Sequence, residues 1–225
     1  MNRILVGLMA ALTLFAAVGC SGQKNTTQPQ PQDTQATTAK ATATTSPTPG
    51  PDKVGALIQQ NMFNEAITAT SGFSVQERDA ALKKVLDAAL QYGDFDNAYN
   101  AAWRVANLQA RDAALETVFK AALARDNFSI ALSAAEKLPG KHGQELISQI
   151  VNAAAERGKF YDAVSAAGKL TGPAEQKARV KELMEGAIAQ GYSLEQIYFS
   201  SGFSQGIVLQ LIKEKNPNWT IPPGR

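Results

Sequence analysis

From residue 53 onward, apolar positions return with a period that no single helix or strand would produce. Phe63, Phe95, Phe128 and Phe160 are separated by 32, 33 and 32 residues, and each heads the same pattern. Three positions on lie Ala66, Ala98, Ala131 and Ala163; four on, Ile67, Tyr99, Leu132 and Val164. Six on lie Ala69, Ala101, Ala134 and Ala166; ten on, Phe73, Val105, Leu138 and Leu170. These offsets predict one apolar face on a helix of about three turns. The alanines in that face let a neighbouring helix come close. A second helix follows in every unit, because Leu82, Leu115, Ile147 and Val180 form a column, as do Val85, Val118, Ile150 and Leu183. Leu86, Phe119, Val151 and Met184, then Ala89, Ala122, Ala154 and Ala187, complete its face. A unit of two helices with a period in the low thirties predicts stacked helical hairpins, since one hairpin cannot bury its apolar face alone.

Local signals fall where the columns need them. Ser74-Val75-Gln76-Glu77 and Ser193-Leu194-Glu195-Gln196 have the spacing of capping boxes, in which hydroxyl and carboxylate or amide satisfy unpaired backbone donors. Pro139-Gly140 and Thr171-Gly172-Pro173 break the chain between the two helices of their units, and Gly93-Asp94 and Gly158-Lys159 supply the opposite, tighter turns. A fifth unit is degenerate: Leu194, Ile197, Ser200 and Ser201 take the first-helix positions after one extra residue, and Ile207 to Ile212 starts a final helix. Residues 216–225 carry Pro217, Pro222 and Pro223 and form a tail, with Trp219 and Ile221 expected to fold back over the last hairpin.

Read from the second helix of one unit into the next, Tyr92-Gly93-Asp94-Phe95-Asp96-Asn97-Ala98 resembles the turn of a tetratricopeptide repeat, a Gly and an aromatic followed three residues later by Ala. Arg157-Gly158-Lys159-Phe160-Tyr161-Asp162-Ala163 is similar. The resemblance covers about residues 60 to 200. The chain departs from that family where Leu86, Phe119, Val151 and Met184 replace a small residue, and in lacking its terminal Pro. The fold expected is all-α: a right-handed solenoid of stacked α-helical hairpins over residues 53–215, with four clear repeats and the worn fifth.

Ahead of the repeats the composition changes twice. Residues 1–19 read as an export signal, with Arg3, an apolar core from Ile4 to Val18, and small residues before Cys20. A core of fifteen residues would cover only about 22 Å of a hydrocarbon layer about 30 Å thick. Ala17-Val18-Gly19-Cys20 resembles the lipobox of bacterial lipoproteins, which implies cleavage between Gly19 and Cys20 and a diacylglycerol on the Cys20 sulfur. Cys20 is the sole cysteine, so it has no intramolecular disulfide partner. Acyl chains would hold the protein to a membrane. Ser21 after the cysteine points, by the same resemblance, to the outer membrane facing the periplasm in a cell with two membranes, and otherwise to the outer face of the cell membrane. Residues 20–52, rich in Thr, Gln and Pro and nearly free of large apolar side chains, read as a disordered tether.

Candidate chemistry is sparse. His142 is the single histidine and lies in Gly140-Lys141-His142-Gly143, where a solvated loop residue is expected and neither a metal site nor a catalytic triad can be built. No catalytic residue, metal or cofactor is therefore assigned. Lys and Arg total 22 against 20 Asp and Glu, with signs mixed along the polar columns, so no basic stripe for nucleic acid appears. Leu194 to Lys213, centred on Ser201-Gly202-Phe203-Ser204, resembles a regulator-type helix-turn-helix, but the same four residues recur at Ser71-Gly72-Phe73-Ser74 inside the first repeat and read as repeat pattern. Trp103 stands in a column otherwise filled by Ser71, Glu136 and Gly168, a position not committed to the core. It is a candidate interaction hot spot, or else it packs on the turn from Val105 to Leu108.

Two functions are expected from this pattern. The first is a membrane-anchored, non-catalytic scaffold that holds an exported protein or peptide in the cell envelope. The second is an accessory or regulatory binder of a cell-wall component, a small ligand or an envelope enzyme, for which Tyr161-Asp162 and Trp103 are the aromatic and acidic features.

Overall fold

The computed structural model describes residues 50–223, which are helical throughout apart from their turns and tail, with no strand among them. Eleven α-helices occur among the described residues: α1 Pro51–Gln59, α2 Phe63–Ala69, α3 Val75–Tyr92, α4 Phe95–Trp103, α5 Leu108–Ala124, α6 Phe128–Lys137, α7 Gly140–Glu156, α8 Phe160–Ala167, α9 Pro173–Ala189, α10 Leu194–Phe199 and α11 Gln205–Lys215. Short 3₁₀ turns lie at Thr70–Gly72 and Gly202–Ser204. The signal segment, Gly19, Cys20 and the tether up to residue 49 lie outside the described residues. Short helices (α2, α4, α6, α8) alternate with long ones (α3, α5, α7, α9), and each packs on its neighbours in the chain. The short helices also touch in series, α2 on α4, α4 on α6 and α6 on α8.

Five turns of one design set this spacing. Asn61, Gly93, Asp126, Gly158 and Gly191, which close α1, α3, α5, α7 and α9, have φ of 58°, 89°, 59°, 68° and 90°. In each turn the next amide reaches back five residues: Met62 N–H donates to Leu57 O, Asp94 to Ala89, Asn127 to Ala122, Lys159 to Ala154 and Tyr192 to Ala187, all between 2.8 and 3.1 Å. That bond, with the left-handed residue before it, is the Schellman closure of a helix C-terminus. Asn and Asp tolerate the left-handed region better than other side chains, so two of the five turns form without glycine. In two of the turns the following residue caps the next short helix. Asp94 accepts from Asn97 N–H at 3.0 Å, and Asn127 from Ile130 N–H at 3.2 Å.

The repeat columns form the core. Every member of the four long-helix columns is buried, as are the six alanines three and six places after the phenylalanines of α4, α6 and α8 and their two counterparts in α2. The short helices run 7 to 10 residues, from about two turns to just under the three expected. Phe73, Val105, Leu138 and Leu170 therefore lie beyond the helix ends, where Val105, Leu138 and Leu170 are still buried. Leu138 adopts extended backbone (ψ 138°) because Pro139 disfavours the helical conformation at the residue before it. Both capping boxes are made: Ser74 with Glu77, and Ser193 with Gln196. The hydrogen bonds of Ser74 hold the exposed Glu77 carboxyl below the usual carboxylate range.

The fifth unit carries its extra residue as Tyr192, inserted between the left-handed Gly191 and the N-cap Ser193. Its Ser-Gly-Phe-Ser string does not play the part it plays in the first unit. At Ser74 the last serine caps α3, whereas Ser201 and Ser204 are buried and donate to Tyr198 O at 2.6 Å and Val164 O at 2.7 Å. Gly168 makes room for this packing, since a Cβ there would stand 2.6 Å from Ser204 Oγ. In the tail, Trp219 meets Tyr198 edge to face at 5.5 Å, while Ile221 remains exposed. The expected fold-back holds for Trp219 and not for Ile221.

Two glycines separate close packing from helix propensity. A Cβ on buried Gly143 would lie 2.5 Å from Leu138 O and 2.8 Å from Ala135 O, whereas one on exposed Gly186 in α9 would touch nothing. Gly143→Ala is expected to lower stability by about 1–3 kcal/mol, and Gly186→Ala to raise it by about 0.5–1 kcal/mol. Urea denaturation of the two variants beside the parent checks both signs.

Candidate functional site

Trp103 ends α4 and is 40 % exposed. Its ring does not stand free. The Arg111 guanidinium lies 4.8 Å from the ring centroid and the Lys137 ammonium also 4.8 Å. Arg111 comes from the first turn of α5 and Lys137 from the last turn of α6, so one indole joins two successive units. Neither cation forms an ion pair among the described residues, and Arg111 Nε is buried without a partner. Arg78, which stands in the same repeat column as Arg111, also has its Nε buried and unpartnered, and lines an opening of about 270 Å³ with Arg104, Thr70 and Ser71.

A second feature is an open groove of about 450 Å³ between α3 and α5. Ala80, Leu86, Val105, Ala110 and Ala113 give it an apolar lining, and Lys83, Asp87 and Thr117 are polar residues along it. Asp79 at its end is already engaged, because its two carboxylate oxygens accept the backbone N–H groups of Ala106 at 2.8 Å and Asn107 at 3.0 Å. Those bonds tie the start of α5 to α3 and keep the groove's walls in register.

A third feature lies where the N-terminus of α8 meets the turn after α9. Phe160, Tyr161, Asp162, Tyr192 and Ser200 line an opening of about 260 Å³, with Lys159 beside them. Tyr161 and Tyr192 are both exposed, and Tyr192 lies over Phe160 at 6.0 Å. Burial pushes the Asp162 carboxyl above its usual range, partly opposed by the charge of Lys159 and by the Asp162 backbone. Four of the six exposed aromatics among the described residues, Tyr161, Tyr192, Phe199 and Phe203, lie in this C-terminal part, and only Tyr92 and Trp103 precede it.

His142 departs from the expectation of a loop. It lies in the first turn of α7, because Gly140 at φ 59° starts that helix directly after Pro139. Its Nε2 is 3.8 Å from Glu116 Oε2. The Glu116 carboxyl is held low, first by its hydrogen bond and charge contact with Lys120 and to a smaller degree by His142. No group of three or more His, Cys, Asp or Glu residues able to hold a metal ion occurs among the described residues. No described helix is long and apolar enough to cross a membrane. Gly19 and Cys20, the expected cleavage and lipid sites, lie outside the described residues.

Sequence reading singled out Trp103, Tyr161 and Asp162 but not the partners the fold brings to them. Arg111, Lys137, Tyr192 and Ser200 come from other elements, and only the extra residue before Ser193 hinted that the last turn differs. No protein-family model, curated protein or solved structure matches this chain.

Two measurements probe these side chains. Replacing both Arg111 and Lys137 by Ala is expected to cost about 1–2 kcal/mol and to raise acrylamide quenching of Trp103 in a Trp219→Phe background. Asp162 has its folded pKa raised, so its ionised form opposes the fold. Its contribution improves as pH falls through that raised value and is unfavourable at pH 7. Asp162→Asn should therefore melt no lower than the parent at pH 7, with a smaller gain on acidification, as melting curves from pH 3.5 to 7 would show.

Proposed function

We propose that this chain is a bacterial lipoprotein, anchored through Cys20 and carrying a right-handed, tetratricopeptide-like solenoid that acts as a non-catalytic protein-interaction scaffold in the cell envelope. The α3/α5 groove carries the reading. It is open and apolar-floored, and its rim mixes Lys83 with Asp87 in place of the convergent acid, base and nucleophile that chemistry would need. Adjacent long helices of stacked repeats present such furrows to an extended or helical segment of a partner. The repeated left-handed turns support the solenoid, since each imposes the same reversal after every long helix. The lipobox-like Ala17-Val18-Gly19-Cys20 and the Thr/Gln/Pro-rich stretch behind it support an anchor and a tether of roughly 30 Å mean span.

Photocrosslinking in intact cells tests this. A photoreactive residue at Ala113, in the groove, is expected to capture one dominant exported protein, and one at exposed Lys213, on α11, to capture none above background. Equal, diffuse labelling at both positions would count against the scaffold. Cys20→Ser is expected to abolish incorporation of labelled palmitate into the protein in the same cells, and unchanged incorporation would remove the lipid anchor at Cys20.

A further inference from the structure

The α8 opening exists because one turn breaks the repeat. In the turns after α5 and α7 an arginine stands just before the left-handed residue and covers the phenylalanine that heads its own unit: Arg125 over Phe95 at 5.8 Å and Arg157 over Phe128 at 5.7 Å. After α9 that position is Gln190, and the inserted Tyr192 lies over Phe160 in its place. The cap at this helix is changed too. Lys159 at the N-cap makes no side-chain bond to the helix, whereas Asp94 and Asn127 do. The Asp162 carboxylate is thus left in a partly buried wall with no hydrogen bond or ion pair to another residue among those described. Tyr161 is propped by the Ser201–Ser204 turn, since its Cε2 lies 3.4 Å from where a Cβ on Gly202 would stand.

We infer that this opening is a binding site for a neutral saccharide, taking one sugar ring of a glycan against Tyr161 and Tyr192, with ring hydroxyls on Asp162 and Ser200. Three properties select that chemistry. Exposed phenol rings present apolar faces to the C–H face of a sugar, and their hydroxyls stay wet. A partly desolvated carboxylate and a free serine hydroxyl need donors and acceptors, which a polyol supplies together. Lys159 balances Asp162, so the wall has no net charge to attract a cation or an anion. The volume, about 260 Å³, lies below the roughly 300–1,000 Å³ of pockets for drug-sized ligands, which limits the occupant to one ring with its neighbours outside. This activity is separate from the α3/α5 groove and survives failure of the scaffold reading.

The test is titration calorimetry of the full chain, in a detergent without a sugar headgroup, with chitotetraose, maltotetraose and xylotetraose. Saturable binding of at least one is expected, weakened about tenfold or more by Tyr161→Ala and by Asp162→Asn. Tyr92→Ala is the control: Tyr92 also lies over a repeat phenylalanine, Phe63 at 5.9 Å, but its turn has no inserted residue. It should leave binding unchanged. The proposal is overturned by absence of saturable binding of all three sugars up to about 10 mM. It is equally overturned by tighter binding of tetramethylammonium or inorganic phosphate than of any sugar, or by equal losses in Tyr92→Ala and Tyr161→Ala.

Discussion

The helix-ending turn, with one residue in the left-handed region and the next amide bonded five residues back, is the constraint on which this fold depends. It uses carbonyl groups that a helix C-terminus otherwise leaves to water, and it reverses the chain within two residues. The acceptor is a core position as well as a hydrogen-bonding one. Ala89, Ala122, Ala154 and Ala187 give their carbonyls to the turn and their methyl groups to the interior. Backbone closure and side-chain packing therefore fix the same register. The phenylalanine two places after the left-handed residue enters the core from a short helix that can be only two turns or so long, because the next break follows within about ten residues.

That double use explains what could be read from sequence. Core columns were legible because burial acts on each residue separately: Leu82, Val85, Leu86 and Ala89 recur as types, and all are buried. The capping boxes at Ser74 and Ser193 were legible because their partners lie three residues away. The left-handed positions were only half legible, since Gly93 and Gly158 announce them whereas Asn61 and Asp126 reach the same φ without glycine. The tenth-position column misled about helix length. Val105, Leu138 and Leu170 satisfy the periodicity of a helix but reach the core from the segment after it, and a buried apolar side chain records depth, not backbone conformation.

The sites were less legible than the fold, for a reason of distance along the chain. Trp103 marks itself by type, but Lys137 meets it from the following unit. Arg157 likewise acts far along the chain: it lies over Phe128, pairs with Asp126 at 2.8 Å and donates to Leu123 O at 3.2 Å. Exposed ion pairs of this kind contribute little each. Their value here is geometric, because they tie one turn to the turn before it.

Regular packing of consecutive helices engages much of the chemistry of their own side chains. At Phe95 and Phe128 an arginine covers the phenylalanine ring, and the N-cap carboxylate or amide before it is bonded to its helix. Insertion of Tyr192 breaks that economy at one place. The guanidinium is replaced by a second aromatic face, the lysine at the α8 N-cap does not cap, and Asp162 is partly buried with no hydrogen bond to another described residue. Degeneration of a terminal repeat is usually explained by relaxed packing against solvent. That account covers the shortness of α10, but it does not require an added tyrosine beside an unpaired carboxylate. Relaxed packing alone would leave the wall apolar or fully solvated, and it is neither.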